Sequence, residues 1–234
     1  MHLLLLFISI LPVFLVGLYI YRKDTEKEPK SLLIGLIFSG LLAGIMVIFI
    51  NVVMALVLSN HYISDDVSNY DFFHLFLMIF FEIALVEEVC KWFMVKVFGY
   101  KSKEYDQIYD IIVYSSFVAL GFAGFENIFY VFQGGMQVGI LRAIFSVPGH
   151  AAFGIFMGYY MGWAKFYKNK DKFLYYRYMF LSIFIPALLH TGFNFCLYTS
   201  GFSYFLIFLG FIIIIYITAV CKINQFVRMD NTLD

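Results

Sequence analysis

The chain has 234 residues and no formal net charge, with 16 Lys and Arg against 16 Asp and Glu. Hydrophobic residues make up 62 % of it and charged residues 14 %, against roughly 45–50 % and about 25 % in soluble proteins. A soluble fold this apolar could not cover its core with polar surface, so the sequence predicts an all-α, polytopic membrane bundle. It is expected to be one transmembrane domain over 1–234, with no soluble domain and the lipid bilayer as its first partner. The balanced charge, without a basic tract or a Gly-rich phosphate loop, argues against nucleic acid.

Seven apolar runs approach the roughly 20 residues that a bilayer core requires. They are approximately 2–21, 32–58, 72–98, 109–132, 140–163, 178–198 and 203–221. The first lacks a short core and a small-residue cleavage site and ends in Tyr19, Tyr21 and a charged connection. It is expected as a retained helix, not a cleaved signal peptide. Cations gather in alternate connections. Arg22, Lys23, Lys27 and Lys30 follow the first run, and Lys101 and Lys103 the third. Lys165, Lys168, Lys170, Lys172 and Arg177 follow the fifth, and Lys222 and Arg228 the seventh. The connections 59–71, 133–139 and 199–202 carry none. By the positive-inside rule the N-terminus lies outside and the C-terminus in the cytoplasm, a multi-pass protein of a cell membrane. Cys90, Cys196 and Cys221 lie in apolar runs without a CxxC pair and read as small buried hydrophobes.

Ionisable side chains inside such runs cost from ~2.5 kcal/mol each and are functional suspects. The third run carries Glu87-Glu88-Val89-Cys90-Lys91. Glu87 and Lys91 are four apart and share a helix face. Two carboxylates beside one ammonium suit a general base, or equally a structural ion pair. The fourth run carries Gly121-Phe122-Ala123-Gly124-Phe125-Glu126-Asn127, whose small residues allow close helix approach. Glu126 has no cation in its own run and needs a partner on another helix. In the fifth run, Pro148 and Gly149 precede His150, where irregular backbone suits the wall of a cavity. Arg142, two turns earlier, reads as an interfacial anchor. The sixth run places His190 and Asn194 one turn apart after Pro186. Asn51, His74 and Glu82 read as packing or interfacial residues.

Glu87, Glu88, Glu126, His150, His190 and Asn194, with Lys91 as charge partner, form a set that could hydrolyse an amide without a side-chain nucleophile. A glutamate takes the proton of water, a histidine orients and shuttles, and an imidazole and an amide donate to the oxyanion. No GxSxG, GxGD or HExxH motif is present. Two glutamates and two histidines could still hold a metal, but Lys91 as counter-charge weakens that reading. A metal-independent enzyme without a cofactor is expected. A proton-coupled carrier would also place carboxylates and histidines in a membrane, though no duplicated halves are visible. A non-catalytic scaffold or receptor is the third reading.

Five stretches in order resemble one family over nearly the whole chain. They are Tyr21-Arg22-Lys23-Asp24 with Glu28-Pro29, Glu87-Glu88-Val89-Cys90-Lys91, Gly124 to Tyr130, Ser146 to Ala151, and His190 with Asn194. They are similar to the PrsW family of intramembrane proteases, itself akin to the type II CAAX prenyl endopeptidases and bacteriocin-processing glutamyl proteases. The resemblance implies site-1 cleavage of a single-span substrate, an anti-sigma factor, in the bacterial cytoplasmic membrane during a stress response. It makes Glu87 the base and His190 with Asn194 the oxyanion side. The wider group's EExxxR becomes Glu87-Glu88 with the cation one residue early, at Lys91. Its FxxxH becomes Phe122 with Glu126, so that His150 would supply the imidazole from the next run. Its HxxxN matches at His190 and Asn194. If the third run enters the bilayer at 72, Glu87 lies below its midpoint. Then either 72–80 lie in the interface or a cavity reaches down to the site.

Overall fold

The computed structural model describes residues 2–58, 71–199 and 201–232. Helices account for nearly all of them, and no strand occurs among the described residues. α1 is His2–Lys23 and α2 is Lys30–Leu58. α3 is a continuous helical stretch over 72–99, with wider π-type turns at Ile79–Ala84 and Val95–Gly99. α4 is Asp110–Leu141, joined through a third π-type stretch, Arg142–Ser146, to α5, Val147–Tyr167. α6 is Lys172–Tyr198 and α7 is Phe202–Asp230.

All seven apolar runs are helical, and five uninterrupted helical stretches are long and apolar enough to cross a membrane. One of the five is 58 residues long, Asp110–Tyr167. At 1.5 Å per residue it would reach roughly 87 Å, nearly three times a bilayer core of about 30 Å. It does not run straight. Gly135 takes φ 72°, which no other side chain adopts readily, and there the chain reverses. The contacts show the hairpin. Gly139 faces Val131, Gly154 lies against Ser115 and Ala119, and Gly158 against Ile111 and Ile112. Ser115 Oγ donates to the Gly154 carbonyl at 2.7 Å across it. The 72–99 stretch adds a further long helix, which its π-type turns divide. The last two helices extend beyond the runs expected from hydropathy, beginning at 172 and ending at 230.

α4 and α5 form the centre. α1 and α2 pack on α4, α6 and α7 pack on α5, and α3 lies between α2 and α6. Residues 110–123 of α4 are buried almost throughout, whereas α1, α2 and α7 present Phe, Leu and Ile outward. That inversion suits a bundle whose surroundings are as apolar as its core. Small residues set the closest approach. A Cβ on Gly40 would overlap the Val118 carbonyl, and one on Gly121 the Ile37 carbonyl, so α2 and α4 touch backbone to backbone. The expected outer connection 59–71 lies outside the described residues up to 70.

At the end bearing the cationic connections, the chain is tied by polar contacts. Lys27 Nζ donates to the carbonyls of Tyr21 at 2.8 Å and of Asp24, closing the end of α1. Asp230 accepts from the backbone N–H of Ile108 and Tyr109, both at 2.9 Å, and so holds the start of α4. Glu28, in the α1–α2 connection, accepts from Tyr114 Oη at 2.7 Å. Burial pushes its carboxyl up to about 7, against the pull of that hydrogen bond and reinforced by Asp24 and Asp106.

Candidate active site

α3, α4, α5 and α6 each aim polar side chains at one place. Glu88 is fully buried, and its Oε1 accepts from Lys91 Nζ at 2.5 Å. The same oxygen accepts from His190 Nδ1 at 3.0 Å. Glu87, one residue earlier, faces the same two groups from farther off. Its Oε2 stands 4.0 Å from Lys91 Nζ and 3.8 Å from His190 Nδ1, and makes no hydrogen bond among the described residues. The adjacent glutamates thus divide the work. Glu88 neutralises the lysine, and Glu87 is left open.

On the other side, Glu126 accepts from Arg142 Nη2 at 2.6 Å and lies 3.1 Å from His150 Nε2. Arg142 Nε also donates to Asn127 Oδ1 at 3.0 Å, and Asn127 Nδ2 to the Ser9 carbonyl at 2.9 Å. The guanidinium lies over the Tyr130 ring, 4.2 Å from its centroid. Arg142, expected as an interfacial anchor, therefore turns inward. It supplies the cation that Glu126 lacks in its own helix. The hairpin at Gly135 brings the two together across 16 residues.

The imidazoles are fixed by these carboxylates. His190 presents Nδ1 to Glu88, so Nδ1 carries the proton and Nε2 keeps its lone pair. His150 presents Nε2 to Glu126, while its Nδ1 lies 3.4 Å from Lys91 Nζ. That makes Nδ1 the lone-pair nitrogen. The rings stand edge to face at 5.1 Å, with Phe153 stacked on His190 at 5.0 Å and Phe122 tilted against His150 at 5.5 Å. Lys91 Nζ also sits 4.5 Å over the Phe122 ring. Phe122, whose motif position expected a histidine one turn on, thus packs on the histidine of the next helix.

Glu87, Glu126, His150, His190 and Asn194 line a cavity of about 570 Å³. Glu88 and Lys91 lie behind it. The cavity extends to Thr199 and Gly201, at the end of the bundle opposite the cationic connections. From Thr199 to His190 is nine residues of helix, roughly 14 Å. A cavity does reach Glu87, and its lining runs to that end. Glu82 and His74 do not line it; His74 pairs with Asp71 at 2.7 Å at the start of α3. Asn127 and Tyr130 went unassigned in the sequence, although both lie in the Gly124 to Tyr130 stretch.

Among the described residues, Glu87, His150 and His190 each offer one ligand atom within 4.8 Å of the others. Each imidazole has one nitrogen on a carboxylate, a common support for a metal-ligating histidine. The donor set fits a divalent ion. The expectation of metal independence rests on Lys91 as counter-charge to both glutamates, and its ammonium stands 2.5 Å from Glu88, 4.0 Å from Glu87 and 3.4 Å from His150 Nδ1.

A buried carboxylate–imidazole cluster at the bottom of a cavity in a helical membrane bundle has the makings of an intramembrane hydrolase. Residues 28–220 match the family model described as PrsW family intramembrane metalloprotease, and the chain belongs to that family, a membrane protease. It is 38 % identical over 226 residues to Protease PrsW of Oceanobacillus iheyensis, covering 96 % of each chain. Protease PrsW of Clostridioides difficile strain 630 is 34 % identical over 96 % of this chain and 90 % of its own. The Bacillus subtilis strain 168 protein of the same name is 33 % identical over 76 % of each. No solved structure matches the chain.

Proposed function

We propose that the protein hydrolyses one peptide bond of a single-span membrane protein, near the membrane face opposite its cationic connections, and that this is site-1 cleavage of an anti-sigma factor. The open carboxylate of Glu87 beside two oriented imidazoles, on a cavity floor, carries the chemistry. The substrate class rests on the resemblance in sequence. The N-terminus is placed outside and the C-terminus in the cytoplasm, from the cationic connections.

Glu87 takes a proton from a water as its oxygen attacks the scissile carbonyl carbon. Asn194 donates to the oxyanion that forms. His190 is unsuited to that donation, because its proton sits on Nδ1 against Glu88 and its Nε2 is an acceptor. It serves instead to hold water. As the C–N bond breaks, Glu87 returns its proton to the leaving amine. Glu88 and Glu126 keep the two rings in place, with Lys91 and Arg142 as their counter-charges.

The divalent ion that the family's description implies would be held by Glu87, His150 and His190, and when bound would polarise water and lower its pKa. Purified protein is expected to retain close to one such ion per chain, and His150→Ala to lose it without loss of helicity. Metal-free protein that cleaves at the parent rate would show that these residues act unaided. The test of the function is co-reconstitution of the purified protein with a single-span anti-sigma factor in proteoliposomes. One cut, mapped by mass spectrometry to the side of the bilayer bearing residue 199, is expected. An intact substrate in the presence of folded, metal-replete protein would refute it.

A further inference from the structure

The cavity has two unlike walls. One bears Glu87, His190 and Asn194. The other is aromatic and aliphatic. Leu141 and Phe145 sit four apart across the start of the Arg142–Ser146 stretch, and Phe205 and Phe208 three apart on α7, and all four line the cavity. The two rows meet where Phe145 and Phe208 pack edge to face at 5.4 Å. Phe193 closes the same corner, 5.2 Å from Phe208. Phe208 is buried, whereas Leu141 and Phe205 are half-exposed at the rim. The result is a slot with an open rim and an aromatic floor. Phe193 immediately precedes Asn194, so the slot abuts the oxyanion donor. A substrate segment that brings a carbonyl to Glu87 and Asn194 must place a neighbouring side chain against this wall.

We propose that the slot between Leu141–Phe145 and Phe205–Phe208 is the specificity subsite of the protease, taking one uncharged, apolar side chain next to the scissile bond, with the Phe208 ring setting the size it accepts. This rests on the reading of the cavity as the active site. These four side chains offer no donor or cation, and Arg142, which lines the cavity between Leu141 and Phe145, is already held by Glu126 at 2.6 Å, so an acidic side chain in the slot would be desolvated against apolar groups. A ring at the floor also limits length. Discrimination by an apolar pocket runs at about 10–200-fold per methylene-scale change of shape.

The experiment uses the full-length protein in proteoliposomes with single-span substrates carrying Ala, Leu, Phe or Asp on either side of the mapped bond. On one of the two sides the parent is expected to cut Ala and Leu at least 100-fold faster than Asp, as kcat/KM. Phe208→Ala should raise the Phe-to-Ala ratio at that side tenfold or more, and Phe205→Trp should lower it. Where Phe208→Ala does not fold, Phe205→Ala and Phe205→Trp on the rim carry the comparison in opposite directions. Ratios unchanged within twofold in the folded variants, with Glu87→Gln inactive, overturn the slot and leave the active site standing. A Glu87→Gln protein that cuts like the parent overturns the reading of the cavity itself.

Discussion

Lys91 is the group whose removal the structure makes most costly. Its side chain is 1 % exposed. Its ammonium touches Glu88 at 2.5 Å, lies 4.0 Å from Glu87, and caps the Phe122 ring. With an effective dielectric of about 20, the two attractions amount to roughly 7 and 4 kcal/mol before desolvation is subtracted. The lysine's own desolvation offsets much of this, but Lys91→Met leaves two buried carboxylates without that cation. Breaking a buried pair from one side costs about 3–5 kcal/mol, which for a chain of this size corresponds to a fall in Tm of roughly 6–20 °C. Lys91→Met/Glu88→Gln removes the charge on both sides and should recover at least half of the loss, because an amide still accepts from His190. The assay is thermal unfolding of parent, single and double variants in one detergent, read as a double-mutant cycle. A single variant within 1 kcal/mol of the parent, or a double variant no more stable than the single, would refute the role assigned to the Lys91–Glu88 pair.

Two further outcomes are expected. Glu28 binds its proton more tightly in the fold, up to about 7, than its ordinary value of 4.5. Stability should therefore fall as pH rises from about 4.5 to 7, since over that window the native state holds the extra proton. Glu28→Gln should flatten that fall in chemical denaturation series at several pH values, and an unchanged slope would contradict the burial argument. Single cysteines within 164–177, in a Cys-free background, should label only after the membrane is permeabilised; labelling from outside intact cells would reverse the orientation.

The helices were legible in the sequence because lipid enforces long apolar runs, and charge distinguishes one set of connections from the other. The reversal between 133 and 139 was legible, but hydropathy does not mark that the helical path turns through a single residue, Gly135, nor that α6 begins as early as Lys172. The site residues were legible as types, since each polar group in an apolar run requires a partner. Their pairing was not. Spacing favours Glu87 with Lys91, four apart, yet Lys91 contacts Glu88, which His190 of α6 also engages. That choice is made by tertiary packing. Arg142 escaped for the same reason: its partners Glu126 and Asn127 lie on the far limb of a hairpin. The proton on His190 Nδ1 was likewise invisible until Glu88 was placed against it.

The open carboxylate of Glu87 is the centre of the mechanism, and Glu87→Gln tests it most directly. The amide keeps the size and hydrogen-bonding reach of the side chain but cannot accept the proton of water. Purified Glu87→Gln protein, co-reconstituted with substrate, is expected to fold, to bind the substrate and to leave it uncut over times in which the parent cuts it fully. Cleavage by this variant at the parent rate would contradict the role of Glu87 and the hydrolytic site built around it.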